Sequence, residues 1–136
     1  MKTASLQLKN KNSEILVLAK FLEKLSLEWK EISKHTSSLN LALEEAISNV
    51  INYAYNDEKE HLIQLVFSLN SKELAIQIID DGVEFNPILK EDSKSDLPLE
   101  ERNIGGLGIL FIKKVMDQLH YERKGNKNIF TIIKNI

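Results

Sequence analysis

The sequence predicts an α+β fold, a two-layer α/β sandwich in which three helices cover a mixed, mostly antiparallel sheet. Three observations predict it. From Ile15 to Ala54 apolar residues recur every three or four positions, the spacing of buried helix faces. The pattern then shortens to strand-like runs over residues 62–69 and 74–79, joined by Asn70-Ser71-Lys72-Glu73, which reads as a hairpin. A long polar stretch, one more helical pattern and two final strand-like runs complete the order β, α, α, β, β, loop, α, β, β. Helices grouped against such a sheet form two layers around one core.

Each element has its own signal. Residues 4–9 alternate apolar and polar side chains as a short strand does. A helix follows over about 13–32, with Ser13 as its N-cap and Ile15, Leu18, Leu22, Leu25, Trp29 and Ile32 on one stripe. The second helix runs from Ser37 or Ser38 to about Tyr55 and buries Leu39, Leu43, Ile47, Val50 and Ala54. Residues 80–102 contain both prolines, Pro87 and Pro98, and the mixed-charge stretch 90–96. Long aperiodic segments inside compact domains are usually functional. The third helix begins at or just after Gly106 and runs to Leu119, with Leu110, Phe111, Val115 and Leu119 at helical spacing and Lys113-Lys114 on its wet face. Closing strands over about 119–124 and 128–134 flank a turn at Gly125-Asn126.

Composition narrows the function. The 136 residues suit one domain, 1–136, and 43% hydrophobic content suffices for its core. A formal net charge of −2 removes the basic excess of a nucleic-acid binder. The chain has no cysteine, which excludes disulfides, thiol catalysis and thiolate metal sites. No apolar run approaches the roughly 20 residues that cross a bilayer, and the N-terminus lacks a secretory signal core. A cytoplasmic domain, binding neither nucleic acid nor membrane, is expected.

Three clusters could carry chemistry. At about 100° per residue, Glu45, Asn49, Asn52 and Asn56 form one polar stripe on the second helix. A carboxylate and a carboxamide one turn apart can converge on an ion or a water, and a neutral Asn oxygen suits Mg²⁺. Alone, such a stripe is more often a solvated face. The second cluster is Asp80-Asp81-Gly82 at the end of an apolar strand. Asp80 can accept a hydrogen bond from an exocyclic amine there, and Gly82 lets a flat ring approach, although an ordinary Asp-Gly turn has the same sequence. The third is Gly105-Gly106-Leu107-Gly108, with three glycines in four residues opening a helix. Glycines are costly in a helix, so their concentration at its positive end points to a phosphate cradle.

The three clusters together are more specific than any one. Residues 41–55, Leu-Ala-Leu-Glu-Glu-Ala-Ile-Ser-Asn-Val-Ile-Asn-Tyr-Ala-Tyr, resemble the N box of the GHKL (Bergerat-fold) ATPases. Asp80-Asp81-Gly82 resembles the G1 box and Gly105 to Gly108 the G2 box of that superfamily. Within it, residues 106–117 and the whole-chain layout are similar to the bacterial anti-sigma-factor serine/threonine protein kinases. The resemblance implies ATP and Mg²⁺ as cofactors. It assigns Asn49 to Mg²⁺, Asp80 to the adenine amino group, Gly82 to the floor beneath the base, Gly105, Gly106, Leu107 and Gly108 to the phosphates, and residues 88–104 to an ATP lid. The family motif and the helix spacing both make Glu45, one turn before Asn49 on the same face, the expected catalytic base, whereas Glu44 points away and is expected at the surface.

The resemblance also implies partners: a sigma factor, an anti-anti-sigma protein of the STAS type as phosphoacceptor, and a second copy in a homodimer. Two other functions share these motifs. One is an ATP-dependent protein-binding switch without kinase activity. The other is a stand-alone histidine-kinase-like domain, which would act in trans because the first helix carries no histidine. Arg102 could reach a phosphate from the lid, and Asn128 could line the adenine end if its strand register turns it inward. His35, His61 and His120 lack metal-ligand spacing and are expected at surfaces or edges.

Overall fold

In a computed structural model of the chain, the described residues are 1–90 and 104–136. Most of the lid stretch, with Pro98 and Arg102, lies outside them. The elements are β1 (Lys2–Lys9), α1 (Ile15–Glu28), α2 (Thr36–Tyr53), β2 (Leu62–Leu69), β3 (Glu73–Asp80), α3 (Pro87–Lys90), α4 (Ile104–Val115), β4 (Gln118–Lys124) and β5 (Lys127–Asn135). The five strands form one sheet in the order β1-β2-β3-β5-β4, and all four pairings are antiparallel.

Strand alternation builds the core. Leu8, Ile63, Leu65, Phe67, Ile76, Ile78, Phe130 and Ile132 are buried, while their strand neighbours are more exposed. The stripes expected on the first two helices meet that face. Leu18, Leu22 and Leu25 of α1 and Leu39, Leu43, Ile47 and Val50 of α2 are all buried in the same cluster. Phe21 packs its ring 5.4 Å from Phe67, joining α1 to β2.

The first helix is shorter than its apolar spacing predicts. A 3₁₀ turn, Asn12–Glu14, precedes it and another, Lys30–His35, follows it. The chain leaves α-helical geometry at Trp29, with φ −106° and ψ 83°, after its N–H reaches the Leu25 carbonyl at 2.7 Å. Both Trp29 and Ile32 are still buried, so the turn bends the chain without losing its stripe. Ser13 does not cap; instead the Glu14 carboxylate accepts the Lys9 N–H at 2.9 Å, tying the helix start to β1. Helix α2 starts earlier than expected, at Thr36, because the hydroxyls of Thr36 and Ser38 donate back to Ser33 and His35 carbonyls instead of capping forward.

Helix α4 also shifts. It spans Ile104–Val115 instead of reaching Leu119, because Asp117 N–H bonds the Ile133 carbonyl at 2.8 Å and commits the chain to β4. Among its described residues Gly108, Ile109 and Ile112 are buried, as is Met116 just past its end, whereas Leu110 is exposed. A two-residue turn, Gly125-Asn126, joins β4 to β5, with Gly125 at φ 60°, a value only glycine adopts freely.

The central position of α2 generates a stability prediction. Ile47→Ala should destabilise the fold by about 2–5 kcal/mol in urea titrations, since Ile47 is fully enclosed. Leu27→Ala, at a residue 74% exposed, should change it by less than about 0.5 kcal/mol.

Candidate functional site

Two of the three sequence clusters meet where α2 lies against α4. Glu45 is partly buried on the flank of α2. Gly108 of α4 faces it so closely that an added Cβ would collide with Glu45 Oε2 and lie 3.2 Å from its Cδ. A side chain at 108 would therefore push the carboxylate away. Gly105, Gly106 and Leu107 fall in the first turn of α4, where backbone N–H groups have no intrahelical acceptor. Burial raises the Glu45 carboxyl above its ordinary range, and the charge on neighbouring Glu44 raises it further. Glu44 itself is partly buried and does not sit on open surface.

Asn49, one turn on, is only 2% exposed, and its Nδ2 has no hydrogen-bond partner. Asn52 and Asn56, on the same polar stripe in the sequence, are exposed. An unpartnered buried carboxamide is costly. Turning about its last torsion offers either an amide donor or a hard carbonyl oxygen at the same point, so Asn49 fits a cation. Among the described residues no group of three or more His, Asp and Glu could hold a metal ion. A cation here would rest on Asn49 and on oxygens of a bound ligand.

The second region is the acidic corner at the end of β3. Asp80 pairs in register with Asn128 of β5, and both side chains are buried. Asp80 Oδ1 accepts the Gly82 N–H and the Asn128 Nδ2, each at 2.9 Å. Desolvation pushes the Asp80 carboxyl up, while those two hydrogen bonds oppose the rise. Gly82 sits against the C-terminus of α2. A Cβ there would lie 2.6 Å from Ala54 Cβ, and the Val83 N–H donates to the Ala54 carbonyl at 2.7 Å. This close approach is the packing reason for glycine at 82. The Tyr53 and Phe85 rings stack 5.9 Å apart, so the loop is held to α2 at a second point.

Several residues of this corner escaped the sequence reading. Tyr121 and Arg123 reach it from β4: Arg123 Nη1 donates to the Gly82 carbonyl at 2.8 Å, and the Tyr121 hydroxyl donates to Asn128 Oδ1. The alternation Leu119, Tyr121, Arg123 along β4 is a signal that could have found them. His61 is an edge residue as expected, but it is not idle. Its ring stacks on Tyr55 at 4.2 Å, with Nε2 2.8 Å from Asp57 and Nδ1 3.1 Å from Asp81. The Asp57 hydrogen bond raises the His61 imidazole above its ordinary value despite desolvation. His35 is partly buried and His120 is exposed.

The sheet, the polar flank of its central helix and the buried carboxylate at the end of its central strand belong to a kinase-like ATPase domain, as the family match shows. Residues 12–134 match the histidine kinase-like ATPase domain family, HATPase_c_2, and the chain belongs to that family. The chain is similar to serine-protein kinase RsbW of Oceanobacillus iheyensis, at 32% identity over 85 residues covering 60% of this chain and 54% of that protein. It is 23% identical to serine/threonine-protein kinase BtrW of Bordetella bronchiseptica over 112 residues, covering 82% of this chain and 79% of BtrW. The alignment thus spans about half the length of the RsbW relative. Among solved structures, Acinetobacter baumannii histidine kinase AdeS shares the fold, with a TM-score of 0.50 and 14% identity over 99% of this chain and 68% of that one.

The burial of Asp80 has a pH consequence. Its folded carboxyl lies above the 3.8 of an unstructured aspartate, so the native state holds the proton more tightly. That stabilisation is full below 3.8 and is lost as pH rises through the folded value, leaving a buried charge at neutral pH. Asp80→Asn keeps the acceptor oxygen without the charge. Calorimetric melting should find the variant more stable than wild type near about pH 7, with the gap closing towards about pH 4. A gap that stays constant over that range would show that Asp80 titrates normally.

Proposed function

We propose that this domain is an ATP-binding anti-sigma factor with serine/threonine protein kinase activity. The observation that carries the reading is the seating of Gly108 on Glu45. It brings the glycine-rich start of α4 and the polar flank of α2 into one corner, with the unpartnered Asn49 carboxamide one turn along. Membership of a kinase-like ATPase family, and relatives named as serine and serine/threonine kinases, support it.

ATP, when bound, would supply the transferable γ-phosphoryl group, and a Mg²⁺ ion would offset part of the phosphate charge. The chain's residues then divide the work. Asp80 accepts a hydrogen bond from the adenine amino group, and Gly82 lies beneath the base. Asn49 offers its carbonyl oxygen to Mg²⁺. Backbone amides of Gly105, Gly106 and Leu107, at the positive end of α4, hold phosphate oxygens, while Gly108, whose N–H lies within the helix, seats that turn on Glu45. Glu45 accepts the hydroxyl proton of the partner's Ser or Thr as that oxygen bonds to the γ-phosphorus and ADP departs. The phosphoacceptor is an anti-anti-sigma protein of the STAS type, the second partner is a sigma factor, and the domain works in the cytoplasm as a homodimer. Among the described residues no helix is long and apolar enough to cross a membrane.

Transfer of radiolabel from ATP to a STAS-domain partner tests the reading. Glu45→Ala should lower transfer by about 10²–10⁴-fold while ATP still binds. Asp80→Asn should weaken ATP binding in calorimetry by about tenfold to a hundredfold with the fold intact. Partner binding that survives with no transfer even from wild type would replace the kinase reading with a nucleotide-dependent binding switch.

The raised Glu45 carboxyl sets a pH dependence. A base must be ionised, so transfer should fall as pH drops through the Glu45 value, and that value lies above 4.5. Glu44→Gln removes a neighbouring charge that raises it, and should move the acid limb of the rate profile to lower pH. An unmoved limb would assign it to another group.

A further inference from the structure

One carboxamide ties the acidic corner together. Asn128 is 3% exposed, and both ends of its amide are engaged. Its Nδ2 donates to Asp80 Oδ1 at 2.9 Å and to the Val83 carbonyl at 2.7 Å. Its Oδ1 accepts from the Tyr121 hydroxyl, from Arg123 Nη1 at 3.2 Å and from the Phe85 N–H at 3.3 Å. The side chain therefore spans the end of β3, the loop after it and strand β4.

The consequence falls on Asp80. Its Oδ1 is taken by Asn128 and Gly82, while among the described residues its Oδ2 accepts no hydrogen bond. An ionised carboxylate only accepts, whereas a protonated one can also donate. The 6-amino group of adenine is a donor; the 6-oxo group of hypoxanthine is an acceptor. We propose that Asn128 is a positioning residue that holds Asp80 as a fixed acceptor with one free oxygen, and so sets the preference for 6-amino over 6-oxo purines. This rests on the nucleotide reading above.

The surroundings make Asn128 decisive. Burial favours the protonated carboxyl, and Asp81 on the same loop adds to that pressure. Arg123 from β4 opposes it, but its guanidinium bonds Gly82 and Asn128 and makes no direct bond to Asp80. Among the described residues, the remaining titratable groups facing Asp80 are the phenols of Tyr55, just past α2, and Tyr121 on β4, both held neutral by values raised above 10.0. Among the described residues, only Asn128 and the Gly82 N–H donate to the carboxylate. Removing Asn128 takes away a hydrogen bond that favours the ionised form, and so shifts Asp80 towards the protonated form that presents a donor to a 6-oxo base.

Calorimetric affinities for ATP and ITP, with an NMR titration of the Asp80 carboxyl carbon in nucleotide-free protein, test this in wild type, Asn128→Leu, Asn128→Asp and Asn128→Thr. The leucine variant should narrow the ATP-to-ITP affinity ratio by about tenfold or more and move the Asp80 titration to higher pH. Asn128→Asp keeps the shape but adds a like charge in place of the donor. It should do the same, which preserves the test if the leucine variant fails to fold. Asn128→Thr, which retains a hydroxyl donor, should recover most of both properties. A folded leucine or aspartate variant that keeps the wild-type ratio and the wild-type titration overturns this proposal alone. So does equal loss of ATP and ITP with an unmoved Asp80 titration, which marks a merely structural role. Wild-type protein that binds neither nucleotide overturns the nucleotide reading and this proposal with it.

Discussion

Helix α2 must satisfy two neighbours at once, and the rest of the site follows from that constraint. Its apolar stripe, from Leu39 to Val50, is held in the core beneath it. Its flank meets α4, where Gly108 leaves room for nothing but the Glu45 carboxylate. A helix pinned on both sides cannot roll to return its polar residues to water. Glu45 and Asn49 are therefore partly desolvated at fixed positions, a condition that raises a carboxyl and leaves an amide without a partner.

The far end of the same helix anchors the acidic corner. Val83 N–H closes on the Ala54 carbonyl, and Gly82 fits beneath only because it lacks a Cβ. This latch carries the chain directly past the end of β3 and turns the Gly82 N–H back onto Asp80. A carboxylate buried at the end of a central strand would otherwise be destabilising. Here the sheet register supplies its second donor, since Asp80 and Asn128 are cross-strand partners. The two halves of the site are thus joined through one helix and one strand pair.

Much of this was legible in the sequence. Period and turn chemistry located all five strands, and the apolar stripes of α1 and α2 match the buried residues. The clusters around Glu45, Asp80 and Gly108 were visible because glycine and paired polar residues are unusual in those local settings. What failed was local detail subject to tertiary competition. Ser13 caps nothing, because it lies inside the 3₁₀ turn that precedes the helix, and the Glu14 carboxylate binds a β1 amide instead of a helix N–H. Leu119 has helical spacing but belongs to β4, because cross-strand bonding to β5 ends the helix first. Leu110 looks like a core residue and is exposed, since α4 turns Ile109 and Ile112 inward.

The sequence by itself determined the order of elements, the faces of the long helices and the identity of the three polar clusters. All of these depend on residues within a few turns or a single hairpin of one another. Only the tertiary structure decided that Asn128 bonds Asp80 and gathers Tyr121 and Arg123 about itself, that His61 stacks on Tyr55 between two aspartates, and that Gly82 is demanded by Ala54. The physical reason is range. The pairing of β3 with β5 joins residues nearly fifty positions apart, and that register is selected by burial of the whole face, not by any local propensity.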